Sequence, residues 1–219
     1  LRTDAKENLI TAIQIASHQE NGKPVINEVC LYFEYKLYRG NRTSKVNAEH
    51  FKAFTAPNYP ELVESGVHLK LNRHLFLPIK TEAKLIVHKN LDNHVAIIKM
   101  FPGMSEIVLS SILSIKDLKG IVLETYGSGN APTEDWFLNL IEKAIKSGMY
   151  IVNVTQCSGG SVNMGQYETS TALKSLGVIS GKDITTEAAI TKLMYLLGHN
   201  ISQSEFKAVF ETALRGEIS

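Results

Sequence analysis

Two cysteines are all that 219 residues contain. Cys30 and Cys157 stand far apart and make no CxxC pair, which argues against a disulfide framework or a thiolate zinc site and fits a reducing cytosol. Excess charge of one sign is equally scarce. A formal net charge of +1 leaves no field that would hold a polyanion, so nucleic acid is a poor partner. No apolar run approaches the ~18 residues needed to cross a bilayer, and no basic-then-apolar leader opens the chain. The seven histidines, His18, His50, His68, His74, His88, His94 and His199, show no HxxxH spacing and no clustering with carboxylates. Neither a metal nor another cofactor is therefore expected. Repeats and low-complexity segments are absent too. The chain opens Leu1-Arg-Thr-Asp, without methionine, and runs straight into a helix, as a chain picked up in mid-domain would.

What remains is ordinary globular material. Hydrophobic residues make up 44% and charged residues 21%, enough for one large domain or two small ones with a substantial core. Asp4 or Thr3 is placed to cap a helix over residues 5–18, where Leu9, Ile10, Ile13 and Ala16 recur at helical spacing. Residues 25–34 read as a strand leading to the basic turn Arg39-Gly-Asn-Arg-Thr-Ser-Lys45, and Asn47 is placed to cap a short helix over 48–54. Residues 73–93 are the linker candidate, dividing 1–72 from 94–219.

Beyond the linker, strands predicted at 95–101, 120–126 and 149–155 alternate with helices at 105–114, 134–147 and 167–176. Further helices follow over 186–197 and after the capping-box match Ser202-Gln-Ser-Glu205. This alternation predicts an α/β fold with a parallel sheet covered by helices. In the helix over 134–147, Trp136, Leu138, Ile141 and Ala144 are expected on the buried side.

The stretch 119–170 organises this half: two apolar strands each end in a polar, glycine-rich loop, where open α/β sheets bind ligands. Gly127-Ser-Gly-Asn-Ala-Pro132 begins like a dinucleotide fingerprint, but Pro132 stands where the third glycine belongs, so an ordinary strand-to-helix turn is the better reading. Cys157, with no histidine nearby in sequence, reads as a small hydrophobe, and Tyr167 and Glu168 as helix-start residues. Lys45 alone reads as a solvated charge. A catalytic role needs a desolvated amine beside a carboxylate and a hydroxyl.

Several segments then fall in order: Leu1-Arg-Thr-Asp-Ala-Lys-Glu-Asn-Leu-Ile, Leu37-Tyr-Arg-Gly-Asn-Arg-Thr-Ser-Lys45, Phe51-Lys-Ala-Phe-Thr-Ala-Pro-Asn58, Tyr126-Gly-Ser-Gly-Asn-Ala-Pro132, Asn153-Val-Thr-Gln-Cys157, Val162-Asn-Met-Gly165 and Leu214-Arg-Gly-Glu217. Across essentially its whole length the chain resembles the bacterial cytoplasmic (type I) L-asparaginases. The resemblance implies a two-domain α/β fold, with residues 1–72 the remaining part of a catalytic N-terminal domain and 94–219 the C-terminal domain. It also implies a cytoplasmic amidohydrolase that converts L-asparagine to L-aspartate and ammonia, and an intimate homodimer, possibly paired into a tetramer.

In this family a threonine in an early glycine-rich loop is the nucleophile, and a Thr-Asp-Thr motif follows. Neither occurs here, so both are expected upstream of Leu1, and the 219 residues alone are expected to be inactive. Lys45 matches the family's catalytic lysine in its Arg-Thr-Ser-Lys context. Asn130, Tyr167 and Glu168 are the candidates to complete a neighbour's active site. Some members bind asparagine at a second, allosteric site, whose threonine and cysteine correspond to Thr155 and Cys157. Their arginine is replaced here by Glu124. Two alternatives stand beside this reading: an asparaginase-like subunit of a tRNA-dependent amidotransferase, and a non-catalytic assembly module.

Overall fold

A computed structural model describes residues 3–78, 84–165, 168–199 and 201–219, with the backbone alone for Glu168 and Thr169. The chain divides into two compact units, Leu1–Val87 and His88–Ser219.

In the first unit, helix α1 (Ala5–Ala16) is followed by a small hairpin of β1 (Gln19–Glu20) and β2 (Lys23–Pro24). Strands β3 (Cys30–Phe33) and β4 (Lys36–Arg39) form a second hairpin. Next come β5 (Ser44–Lys45), paired with β6 (Phe54–Thr55), and then β7 (Val63–Ser65) and β8 (Leu69–Leu71). The antiparallel order β3-β4-β7-β8 builds a sheet whose core joins Tyr32, Leu37, Leu62 and Val63 to Ile15 of α1. The expected strand over 25–34 is therefore shorter, with its ladder pairing confined to β3.

Two other expectations change here, and one turn proves partly interior. Thr11 and Ile15 are the buried positions of α1, while Leu9, Ile10 and Ile13 are exposed, so the apolar spacing marks a helix without marking its covered side. No helix occupies 48–54. Asn47 Oδ1 does accept from the Glu49 and His50 amides, as a cap would, but Ala53 accepts from the Val46 amide and Phe54 pairs with Lys45. Strand pairing holds the end of that segment extended, and a helix cannot continue into it. The basic turn that leads to Lys45 is half interior. Arg39 forms a buried ion pair with Glu28, donates to the Leu75 carbonyl at 2.8 Å, and lies 4.3 Å over the Tyr59 ring; Arg42 is 2% exposed. A guanidinium is buried tolerably only with such a carboxylate, carbonyl and aromatic face around it.

The second unit is the expected parallel sheet. Strands β9 (Val95–Lys99), β10 (Gly120–Thr125), β11 (Tyr150–Thr155) and β12 (Ile179–Ser180) lie in the order β12-β11-β10-β9, all parallel. The two-residue β12 has too little apolar run to announce itself in sequence. Helices α2 (Glu106–Leu113), α3 (Asp135–Lys146) and α4 (Glu168–Ser175) make the crossovers, and α5 (Thr186–Gly198) and α6 (Gln203–Phe210) follow.

Period-two alternation splits the β10 side chains between two cores. Ile121 and Leu123 pack with Leu109, Phe137 and Ile141, while Val122 packs with Ala189, Leu193 and Phe206. A strand buried on both faces reads as one apolar run, and Gly120-Ile-Val-Leu does so.

Ser105 and Thr185 cap α2 and α5 through their side chains, as their residue types favour. Ser202 stands at the N-cap of α6, but its hydroxyl donates to Glu205 and caps no backbone amide, so the box closes on itself. In α3 Ile141 and Ala144 are buried as expected, but Phe137 joins them, while Trp136 and Leu138 are only half-buried.

Candidate functional site

The carboxyl edge of the parallel sheet carries the two glycine-rich loops. The four strands follow chain order along the sheet, so there is no reversal between the described strands to open a crevice at a switch point. The loops instead bind each other. Asn163 N donates to Ser128 O at 3.0 Å, Thr155 Oγ1 to Gly127 O at 2.5 Å, and the buried Asn153 Nδ2 to Gly129 O at 3.2 Å. Asn153 Oδ1 accepts from the buried Thr125 hydroxyl at 2.6 Å, so one amide links both strands to the first loop. Gly129 has a φ of +105°, and a Cβ there would fall 2.7 Å from Val162 Cγ1. Glycine is required by backbone shape and by the close approach of the second loop, with no phosphate involved.

Glu124, near the end of β10, places a carboxylate at this edge. Its carboxylate is 14% exposed, accepts from Thr186 Oγ1 at 2.6 Å, and lies 3.6 Å from Lys99 Nζ. Thr186 is the first residue of α5, where the positive end of a helix favours an anion. Gln156 Nε2 ties the strand ends together by donating to Met100 O and Glu124 O. Thr186, Lys99 and Gln156 carry no sequence signal for this, since three separate loops and strand ends bring them to Glu124.

Thr155 and Cys157 do meet: the Cys157 amide donates to Thr155 Oγ1 at 3.0 Å, and Cys157 is exposed. Asn130 pairs with Tyr126 through reciprocal backbone hydrogen bonds of 2.8 and 2.9 Å, which close the first loop. Glu168 opens α4, and Tyr167 lies outside the described residues. In the first unit, Lys45 sits on β5, exposed, with Nζ 5.7 Å from the Phe54 ring centroid. Among the described residues no carboxylate stands within ion-pair distance of it. Burial, with the Glu28 carboxylate adding to it, pushes the Cys30 thiol up to about 12, so Cys30 is no thiolate nucleophile at neutral pH. No group of three or more His, Cys, Asp or Glu among the described residues could hold a metal.

Comparison with known families decides how these pieces belong together. The Glutaminase/Asparaginase C-terminal domain matches residues 94–210, and the Asparaginase, N-terminal model matches residues 1–76. The chain belongs to the asparaginase family. It is 40% identical to L-asparaginase 1 of Escherichia coli K12, an alignment covering 100% of this chain and 63% of that relative. The mouse 60 kDa lysophospholipase is 39% identical over 100% of this chain and 38% of its own length. The crystal structure of L-asparaginase I from Vibrio cholerae superposes with a TM-score of 0.90 at 40% identity, covering 100% of this chain and 64% of that one. The two-domain α/β asparaginase fold is thereby established, and the chain spans less than two thirds of these asparaginases.

Proposed function

We propose that this chain is the Lys45-bearing and C-terminal part of a cytoplasmic L-asparaginase. The observation that carries the reading is similarity to an L-asparaginase over the whole chain, across both family models. In the proposed reaction a threonine Oγ from a preceding segment attacks the side-chain amide carbon of asparagine. The C–N bond breaks, ammonia leaves with the transferred proton, and water then cleaves the acyl-enzyme ester to release aspartate and restore the hydroxyl. The Lys45 ammonium offsets negative charge in the proton relay of a second threonine. Asn130, Tyr167 and Glu168 belong to the surface by which one subunit completes its neighbour's site in a homodimer.

The test is ammonia release from L-asparagine. The 219-residue chain alone is expected to release none, because it supplies Lys45 but neither threonine. The intact protein is expected to be active, with L-glutamine and a lysophospholipid as comparison substrates. Turnover by the chain alone near the intact rate would refute the placement of the nucleophile. A strict preference for the lysophospholipid would overturn the substrate.

Asparagine control at the sheet edge is proposed to be lost or altered. Glu124 puts a carboxylate where a carboxylate-bearing effector would need a cation. Thr155 already spends its one hydroxyl proton on Gly127 O. Initial rates of the intact enzyme are expected to rise hyperbolically with asparagine and to keep that shape in Glu124→Ala. Sigmoidal kinetics abolished by that substitution would contradict the proposal.

A further inference from the structure

Outside the sheet edge, the segment His88–Asp92 lies against the last turn of α5. The Asp92 amide donates to Met194 O at 3.0 Å, and a Cβ at Gly198 would stand 2.4 Å from the Asn90 carbonyl oxygen, so backbone meets backbone there. At this junction two histidines separated by 111 positions in sequence come together, with His88 Nδ1 3.1 Å from His199 Nε2. The Tyr195 ring lies 4.1 Å from His199 and 5.5 Å from His88, centroid to centroid.

The hydrogen bonds fix the tautomers of the neutral pair. His199 Nδ1 lies 2.7 Å from the Tyr195 carbonyl, which can only accept, so Nδ1 carries the proton and Nε2 offers a lone pair. The hydrogen of the His88–His199 contact therefore belongs to His88 Nδ1. A ring whose far nitrogen is anchored on a backbone carbonyl, with its near nitrogen aimed outward as an acceptor, is the arrangement that metal-ligating histidines adopt.

The spacing suits one shared ion. Two nitrogens bound at about 2.0–2.1 Å, at angles of about 90–109°, stand about 2.8–3.4 Å apart. The site also lies at the negative end of a helix, which favours a cation. The nearby Asp92 carboxylate is engaged elsewhere: hydrogen bonds from Lys119 and His94 hold it well below the usual carboxylate range.

We propose that His88 and His199 form a two-imidazole site for a divalent transition-metal cation of the Zn²⁺, Ni²⁺ or Cu²⁺ class, the ions that imidazole suits. On binding, the His88 proton leaves Nδ1 and the ring takes its Nε2–H tautomer. Two nitrogen–metal bonds replace two water–metal bonds, and the pair releases no net proton. Water fills the remaining positions, which makes this an open site that clips the His88 segment onto α5. Spacing along the chain conceals such a pair, because its members come from either end of the second unit.

The experiment is titration of the chain with ZnCl₂ by calorimetry at neutral pH, beside the variants His88→Ala and His199→Gln. One Zn²⁺ per chain is expected, with affinity reduced about tenfold or more in each variant. His88 is exposed on irregular chain, so His88→Ala is expected to leave the far-UV circular dichroism of the metal-free protein unchanged. No saturation by about 1 mM Zn²⁺, or parental affinity in both variants, overturns the proposal. The second of these outcomes would assign the ion to one of the other five histidines.

Discussion

Replacing Lys45 by methionine in the intact enzyme is expected to lower kcat about 10²–10⁴-fold, the range set by removing a positioned proton-transfer group, with little change in KM. Methionine keeps the length and the apolar stem, so the short β5–β6 pairing through Lys45 and Phe54 survives and only the ammonium is lost. The kcat-against-KM split is the decisive readout, since an interaction made mainly in the transition state leaves ground-state binding alone. Lys45 is exposed and has no carboxylate partner among the described residues, so its removal is expected to leave the stability of the first unit nearly unchanged. Activity that survives intact would return Lys45 to the ordinary role of an exposed lysine.

The second large effect is on stability and lies at the other end of the chain. Lys192 of α5 and Glu217 are both buried and paired, with side chains 4% and 6% exposed. Lys192 also donates to Thr212 O at 2.6 Å and lies 5.2 Å from the Phe210 ring centroid. Glu217 accepts from the Leu214 and Arg215 amides as well. Together these contacts fold the terminal segment back onto the second core, where Ile218 is 2% exposed.

Glu217→Ala leaves an uncompensated ammonium in the interior and is expected to cost about 3–5 kcal/mol. Glu217→Leu combined with Lys192→Met removes both charges and is expected to restore most of that loss. Denaturant unfolding followed by the fluorescence of Trp136, the single tryptophan, reports on this unit.

The pH dependence has a definite sign. Burial pushes the Glu217 carboxyl up, but the Lys192 ammonium and the Leu214 and Arg215 amides outweigh it and hold the group below its ordinary value. A depressed carboxylate contributes fully above its unfolded pKa, about 4.3, and its contribution is lost as pH falls through the lower folded value. The gap between parent and Glu217→Ala should therefore shrink as pH falls below about 5, and it should shrink again in base, where burial, which already holds the Lys192 ammonium below its ordinary range, lets that unpaired amine give up its proton. A gap that widens in acid would mean that the carboxylate is not stabilised by the fold.

The parallel sheet was legible because its physics is local. Buried strands such as residues 120–125 must be apolar on both faces, and the helices packed around them include two with their own caps, at Ser105 and Thr185. The failures came where a partner distant in sequence outweighed local preference. Asn47 begins a cap, but pairing of Phe54 with Lys45 ends any helix. The burial of Arg39 and Arg42 likewise could not be read from the basic turn, since Glu28 and Tyr59, which receive them, lie elsewhere in the chain.

The candidate site divides in the same way. Lys45, Thr155, Cys157 and Glu124 are proposed from motif order alone, because a family's residue types persist at their positions. What holds Glu124 could not be seen in advance, since Thr186 and Lys99 lie on different elements and meet it only at the carboxyl edge of the sheet.

By itself, then, the sequence determined the α/β class, the starts of α2 and α5 and the asparaginase kinship, all of which depend on side-chain type at fixed local spacing. Only the tertiary structure decided that the glycine-rich loops close on each other, that two arginines and the Lys192–Glu217 pair are interior, and that His88 faces His199. Each of these depends on which distant groups share a low-dielectric space, and spacing along a chain carries no information about that.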